Sequence, residues 1–343
     1  MTAGLRPVEI IGGGLAGLAL GIGLRRAGVP VTVFEAGDYP RHRVCGEFIA
    51  GLPAATIERL GIGSVFEGAL RHTGVHWFEG DRTAGEMRLP SPAIGISRFA
   101  LDARLAALFV AHGGELVTAH RVTGEIEGAG RVQAAGRRRS IDSRWVGLKA
   151  HVRNLSLTAD LEVHMGKGAY VGLARVEDGW IDVCGLFRRC GVLKGDSPDG
   201  LADTLRSRGL SALAARVGGA EFRPGSTSAV AGFVFDNRIK RSSGVILGDN
   251  CAMIPPFTGH GMAMAFIGAE LTLGPLMDWA AHGVSWEETS ARVHMVLQRE
   301  FHLRLRCAAL LHPLLLDRRG QACLGALARA GLLPMRLLYR LLH

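Results

Sequence analysis

The stretch from Val8 to Glu35, VEIIGGGLAGLALGIGLRRAGVPVTVFE, admits three readings: the core of a secretory signal, a buried helix or a nucleotide-binding turn. A signal core is an apolar run ahead of a small-residue cleavage site, and three consecutive glycines have no place in one. Val8, Ile10 and Ile11 form a short apolar run of the kind that makes a buried parallel strand, and Gly12, Gly14 and Gly17 follow it with G-x-G-x-x-G spacing. The first glycine permits a tight turn, the second lets backbone N–H groups approach a pyrophosphate, and the third lets the next helix pack closely on the strand. Val31 to Phe34 reads as a second strand ending at Glu35, a carboxylate 21 residues beyond Gly14 that can bond a ribose hydroxyl. The pattern predicts a βαβ unit that binds a dinucleotide through Gly12, Gly14, Leu15, Ala16, Gly17 and Glu35.

A chain of 343 residues can bury a large core, and the length suggests about two domains. Mean hydropathy is high at +0.20, yet no uninterrupted apolar run reaches the ~18 residues of a membrane-spanning helix. The apolar residues therefore belong to a core, a greasy pocket or an interface. Six cysteines show no C-x-x-C pair and no disulfide-framework spacing, so they read as reduced thiols in a cytoplasmic protein. The formal charge of +9 is uneven, because residues 299–343 carry eight Arg against only Glu300 and Asp317. No His, Cys or carboxylate groups recur at a metal-ligand spacing, so no metal is expected, and no nucleic-acid partner is expected either.

The choice of dinucleotide rests on a distant segment, GVILGDNCAMIPPFTGHGMAMAFIGAEL. Val245 to Leu247 is another short buried strand, and Asp249 at its end could accept hydrogen bonds from a polyol chain such as ribityl. Gly259, His260 and Gly261 then open a helix near Met262, whose free N–H groups offer a positive end to an electron-rich ring. Both features suit a flavin.

With Gly248, Asp249, Pro255, Pro256, Gly259, Gly261 and Met262 in place, the chain resembles the FAD-dependent monooxygenases and reductases that include p-hydroxybenzoate hydroxylase and the geranylgeranyl reductases. RHRVCGEFI (41–49) and ISRFALDARL (96–105) are similar to further segments of the reductase-like members. The resemblance implies that Arg43 and Arg98 hold the flavin phosphates or ring and that Cys45 and Gly46 line the isoalloxazine side, whereas Arg41 reads as a solvated charge. RWVGLKAH and YVGLARVEDGWIDVCGLFRR look like members found beside bacterial type III polyketide synthases. In one place the chain departs from the family: Ala135-Gly136 stands where Asp-Gly is expected, within a compressed segment from Gly130 to Trp145. Either the turn at Gly136 works by backbone alone or part of the flavin site is gone, and the first alternative is preferred because Gly12 to Gly17 and Asp249 are intact.

The expected fold is α/β, a Rossmann-like FAD-binding domain of the glutathione-reductase type with an inserted antiparallel β-sheet substrate domain and C-terminal helices. The flavin domain is discontinuous, at 1–55, 91–140 and 240–284, with the substrate domain at 56–90 and 141–239 and a helical region at 285–343. Segments such as RWVGLKAHV, ADLEVHM, AYVGLARV and WIDVCGLF supply the antiparallel strands. Ser285 and Glu288 form a capping box for a helix running to Pro313, and a second helical stretch begins at Gly320. With its leucines and Arg329, Arg336 and Arg340, that end suits an anionic membrane surface, although a helix capping the substrate domain is the preferred reading.

The resemblance implies an FAD-dependent oxidoreductase: an NAD(P)H- and O2-using monooxygenase acting on a hydrophobic aromatic or polyketide-like substrate. NAD(P)H would dock transiently, since no second glycine fingerprint occurs. The alternatives are reduction of an isoprenoid-type double bond and a cofactor-poor binding protein. Halogenation is disfavoured by the absence of a W-x-W-x-x-I-P motif. Cys45 and His260 are the candidate catalytic side chains, and His260, like His151, has no visible acidic partner.

Overall fold

The computed structural model describes residues 4–123, 128–137, 140–141, 143–189, 197–332 and 334–342. The glycine stretch folds as its spacing predicts: β1 (Val8–Ile11), α1 (Leu15–Arg26) and β2 (Val31–Phe34), with β1 and β2 parallel and in register from Val8 opposite Val31. Short elements follow, β3 (Phe48–Ile49) and α2 (Ala54–Leu60), then a long hairpin of β4 (Leu70–Glu79) and β5 (Arg82–Gly95). The chain returns through α3 (Arg98–Ala111), capped by the Ser97 hydroxyl, to β6 (Glu115–Val117) and β7 (Arg131–Gln133). Four strands come next: β8 (Trp145–Arg153), β9 (Leu161–Gly166), β10 (Ala169–Arg175) and β11 (Ile181–Arg188). Helices α4 (Pro198–Ser207) and α5 (Ser211–Gly218) and strands β12 (Glu221–Phe222), β13 (Ser228–Ala231) and β14 (Val245–Ile246) lead to the closing helices. These are α6 (Gly261–Ala280), α7 (Trp286–Leu316), α8 (Arg318–Arg329) and α9 (Met335–Leu342).

Two sheets result. The first is parallel throughout, in the order β14-β7-β1-β2-β6. One face is apolar, with Val8, Ile10, Val31, Val33 and Val132 packed under the layer of α1, α3 and α6 through Leu18, Leu20, Ile22, Leu105, Phe109 and Phe266, while Glu9, Thr32, Glu115 and Arg131 pair on the other face. The second follows the order β12-β8-β11-β10-β9-β4-β5-β3, with β13 also paired to β8. It is antiparallel except where β4 runs parallel to β9, a departure from the expected all-antiparallel sheet. One face of this sheet is covered by α4 and α5 through Leu148, Val171, Val183, Leu205 and Leu213. The opposite face bears the chemistry.

The helical end departs from expectation in two ways. Ser285 does cap α7, accepting from the Glu288 N–H, but the helix continues through Pro313 to Leu316. The last turn survives because His312 and Leu315 are buried and the Asp317 N–H closes on the Pro313 carbonyl. The second stretch is broken into α8 and α9 rather than continuous, and Asp317 caps α8 through the Arg319 and Gly320 N–H groups. No helix among the described residues is long and apolar enough to cross a membrane.

Candidate active site

The three motif segments converge at the carboxyl ends of the parallel strands, the edge where open α/β sheets bind ligands. Gly12 has φ +115°, and a Cβ there would lie 2.3 Å from the Ala134 carbonyl oxygen at the end of β7. A Cβ on Gly17 would lie 2.0 Å from the Gly12 carbonyl, so this glycine is what lets α1 sit down on β1. On Gly14 a Cβ would meet nothing within 4 Å, so this glycine serves open space in front of the helix rather than packing. Gly248, at φ +60°, brings the Asp249 turn against the Ala16 side chain, joining the last motif to the first. The β7 strand and the Gly136 turn at φ +78° are also present, so the third motif keeps its backbone despite Ala135. Arg138, Arg139 and Asp142 of that segment, and Cys190, lie outside the described residues.

Glu35 stands at the end of β2, buried, with Oε2 accepting from the Gly13 N–H at 2.9 Å and Oε1 accepting from the Gly37 N–H and from Arg41 at 2.6 Å. Arg41 is therefore a partner of Glu35 and not the solvated charge expected. Arg43 donates to Asp102 at 2.8 Å, and Arg98 grips the same carboxylate with two bonds of 2.7 and 2.8 Å. Asp102, fully buried, is the residue that sequence reasoning missed, and the i, i+4 spacing of Arg98 and Asp102 on one helix was its available signal. Burial opposes the Arg98 charge, but Asp102, Cys45 and Asp249 more than compensate and raise its pKa. Burial pushes the Asp249 carboxyl up against the pull of Arg98, Arg137 and Lys240. Cys45, also pushed up by burial, is held as a thiol, which does not suit a thiolate nucleophile.

His260 is buried at the N-cap of α6 with both ring nitrogens engaged: Nδ1 donates to the Ala50 carbonyl at 3.0 Å, and Nε2 accepts from Arg304 at 2.9 Å. This fixes a neutral tautomer that shapes the helix start where Gly261, Met262 and Pro256 gather. His151 does have an acidic partner: its Nε2 lies 2.6 Å from Glu47, which the chain separates from it by 104 residues. Glu47, His151 and Asp182 bring donor atoms within 4.8 Å of one another, a grouping that no spacing in the sequence announces. The Lys149 ammonium occupies the place a cation would take there, bonding Glu47 and lying 3.6 Å from Asp182.

These groups sit on the free face of the second sheet, where cross-strand pairs form rows. Asp182 faces His151, Cys184 faces Lys149 and Gly172, and Leu186 faces Gly147 and Tyr170. The outer rows are buried, but Gly172 and Cys184 between them are half-exposed, and a Cβ on Gly172 would meet nothing closer than 3.9 Å. The segment Val44 to Glu47 crosses above, with Val44 packed on Gly147 and open space at Gly46. Gly172 and Cys184, with Gly46 above, outline a narrow slot that the buried Lys149 closes at β8. Its apolar end is an aromatic box in which His312 touches the rings of Trp145, Tyr170, Phe235 and Phe257 at 5.0–6.0 Å. Its polar end is the Glu47–Lys149–His151–Asp182 cluster. Sequence reasoning missed His312, because an isolated histidine on a long helix carries no signal of what packs around it.

A profile of the NAD(P)-binding Rossmann-like domain matches residues 10–61. Menaquinone reductase of Mycolicibacterium smegmatis is 29% identical over 133 residues, 37% of this chain and 32% of the relative, so the similarity spans about a third of that protein's length. The flavin-dependent brominase Bmp2 superposes with a TM-score of 0.76 at 18% identity, covering 98% of this chain and 92% of the brominase. PqsL of Pseudomonas aeruginosa, in complex with 2-aminobenzoylacetate, gives 0.72 at 16% identity, covering 94% and 99%. The fold is that of the FAD-dependent monooxygenases.

The residues present fit the FAD that this fold implies. Gly14 leaves open the space before α1, whose first-turn N–H groups lack intrahelical carbonyl partners and attract phosphate. Arg43 keeps one buried guanidinium nitrogen without a hydrogen-bond partner, 3.7 Å from the Glu35 carboxylate beside that turn. Glu35 Oε2 has one protein donor and so retains capacity for a hydroxyl.

Proposed function

We propose that the chain is an FAD-dependent oxidoreductase that uses NAD(P)H and O2 to hydroxylate a hydrophobic aromatic substrate. The observation that carries the cofactor is the open glycine turn with an Arg43 nitrogen at its rim that makes no hydrogen bond. Bound FAD would supply the redox chemistry, passing electrons from a transiently docked nicotinamide to oxygen. Gly12, Gly14, Leu15, Ala16 and Gly17 would receive the pyrophosphate, Glu35 the adenosine ribose and Asp249 the ribityl chain. Arg43 and Arg98, fixed by Asp102, would hold phosphate or ring, while Pro256, Gly259, Gly261 and Met262 would bring the start of α6 to the ring edge. Gly136 would close the pyrophosphate side by backbone alone. The substrate would lie in the slot at Gly172, its ring against the aromatic box and away from water. The complex of the structurally similar PqsL with 2-aminobenzoylacetate, itself an aromatic compound, agrees with that class.

Reduction of a quinone or isoprenoid-type double bond by the same flavin is the second reading, favoured by the similarity to menaquinone reductase. The exposed leucines 303, 310, 314 and 337 among exposed Arg299, Arg306, Arg318, Arg319 and Arg329 support contact with an anionic membrane surface, where such substrates partition. Anaerobic titration with FAD, then NADH or NADPH, with and without an alkylresorcinol or a naphthoquinone, separates the readings. A phenol that accelerates flavin reduction and consumes O2 supports the first. Quinone turnover without O2 supports the second. A protein that ignores FAD altogether overturns both and leaves a binding protein.

A further inference from the structure

The polar end of the slot contains more ionisable groups than orienting a substrate requires. Glu47, Lys149, His151 and Asp182 are each at most 1% exposed. Glu47 adopts φ +50°, a conformation unusual for a side-chain-bearing residue, and from there it accepts the Arg98 N–H, the Lys149 ammonium and the His151 ring. The arrangement leaves three buried polar atoms without a hydrogen-bond partner: Asp182 Oδ1, His151 Nδ1 and His42 Nδ1. They form a line. Asp182 Oδ1 is 3.8 Å from His151 Nε2, and the His151 ring meets the half-exposed His42 ring edge-on at 5.0 Å. His42 in turn stacks on Phe99, whose ring also carries the Arg223 guanidinium at 4.9 Å.

We propose that Asp182 is a proton donor to the ligand in the Gly172–Cys184 slot, reloaded from solvent through His42 and His151, with the Lys149–Glu47 pair holding the charge constant. The assignment rests on the flavin-oxidoreductase reading. In the transfer the Asp182 O–H bond breaks and its proton joins a ligand oxygen, which under the quinone-reducing reading would have received its electrons from the bound flavin. The carboxylate left behind faces the Lys149 ammonium at 3.6 Å. His151 receives a proton at Nδ1 from His42 as its Nε2 proton passes to Oδ1, and His42 regains one from solvent.

The electrostatics agree with the geometry. Burial and the neighbouring Glu47 push the Asp182 carboxyl well above the carboxylate range in spite of Lys149. Burial also acts on Glu47 and Lys149, but their mutual pairing outweighs it: Glu47 is pulled below its ordinary range by Lys149 and His151, and Lys149 is raised with Glu47 as its bonded partner. Burial lowers His42 to about 4, helped by Lys149, His151 and Arg223. Cys184 on the same strand is held as a thiol by burial and by Asp182.

The test is difference infrared spectroscopy at pH 7 on the whole chain and on Asp182→Asn, with FAD occupancy measured in the same samples. The wild type should show a protonated-carboxyl C=O band that disappears in Asp182→Asn, while melting temperature and FAD binding hold. In His151→Gln the band should remain, but its shift on transfer to D2O should slow by about tenfold or more. Absence of the band from the wild type, or its persistence in Asp182→Asn, overturns the donor. Exchange at an unchanged rate in His151→Gln overturns the relay. These readouts need no flavin, so loss of FAD binding would count against the oxidoreductase reading alone.

Discussion

At the scale of single residues, the three fingerprint glycines do different physical jobs, and substitution separates them. Gly17→Ala drives a Cβ into the Gly12 carbonyl and should cost about 1–3 kcal/mol of stability, measured by denaturant unfolding. Gly14→Ala enters open space at φ −88° and should leave stability within about 0.5 kcal/mol of the wild type, yet weaken FAD in calorimetric titration. Equal destabilisation by the two would remove the ligand-serving role of Gly14. Glu35→Ala should cost about 1.5–3 kcal/mol of FAD affinity, the range of a charged hydrogen bond. Ala135 is exposed next to the Gly136 turn, so the natural chain should bind FAD weakly enough to purify partly apo. Ala135→Asp should then tighten binding in equilibrium dialysis, and no gain would show that the backbone turn suffices. The fingerprint glycines and Glu35 were legible as turn positions because the backbone geometry there demands them at fixed spacing. Asp102, Lys149 and Asp182 were not, because each acquires its meaning from a partner on another element.

Among the elements, α7 ties the C-terminal region to the sheet face by inserting His312 into the aromatic box. Burial pushes His312 down to about 4, so its charged form is disfavoured in the folded protein relative to the unfolded chain. The corresponding stability is complete above the unfolded value of about 6.5 and is lost as pH falls towards 4, up to about 3 kcal/mol in all. His312→Phe keeps an aromatic ring in the box and removes that loss. Melting temperatures of the two proteins should therefore converge or cross between pH 7 and pH 4 in favour of the variant, and a constant offset would show that His312 is not desolvated. The strands and helices of this region were legible as elements, since Ser285 and the alternating segments announce them. Their ends were not, because Pro313 is tolerated where burial of Leu315 and His312 outweighs one lost hydrogen bond.

For the molecule as a whole, the exposed arginines and leucines of α7 to α9 form the surface with the clearest preference for a partner. The chain should sediment with anionic but not neutral vesicles, less so as salt shortens the screening length from ~10 Å at 0.1 M. Paired Leu310→Glu and Leu314→Glu should abolish the binding without altering FAD affinity, and undiminished sedimentation would assign the surface to another role. The two-sheet plan was legible from the glycine motif and the alternating strands. The parallel pairing of β4 with β9, and the slot that the second sheet presents, depended on which strands meet, and no local pattern records that.

The turn at Gly12 to Gly17 is closed by the chain itself, with Gly12 bound to the Phe34 carbonyl, Gly13 to Glu35, and Asp102 pinning both arginines. The backbone of that cradle is built without a ligand, while the Arg43 nitrogen, a Glu35 oxygen and the first N–H groups of α1 are left to receive one. The polypeptide can thus build its receptacle before any flavin arrives, with flavin supply deciding afterwards what fraction of copies is loaded.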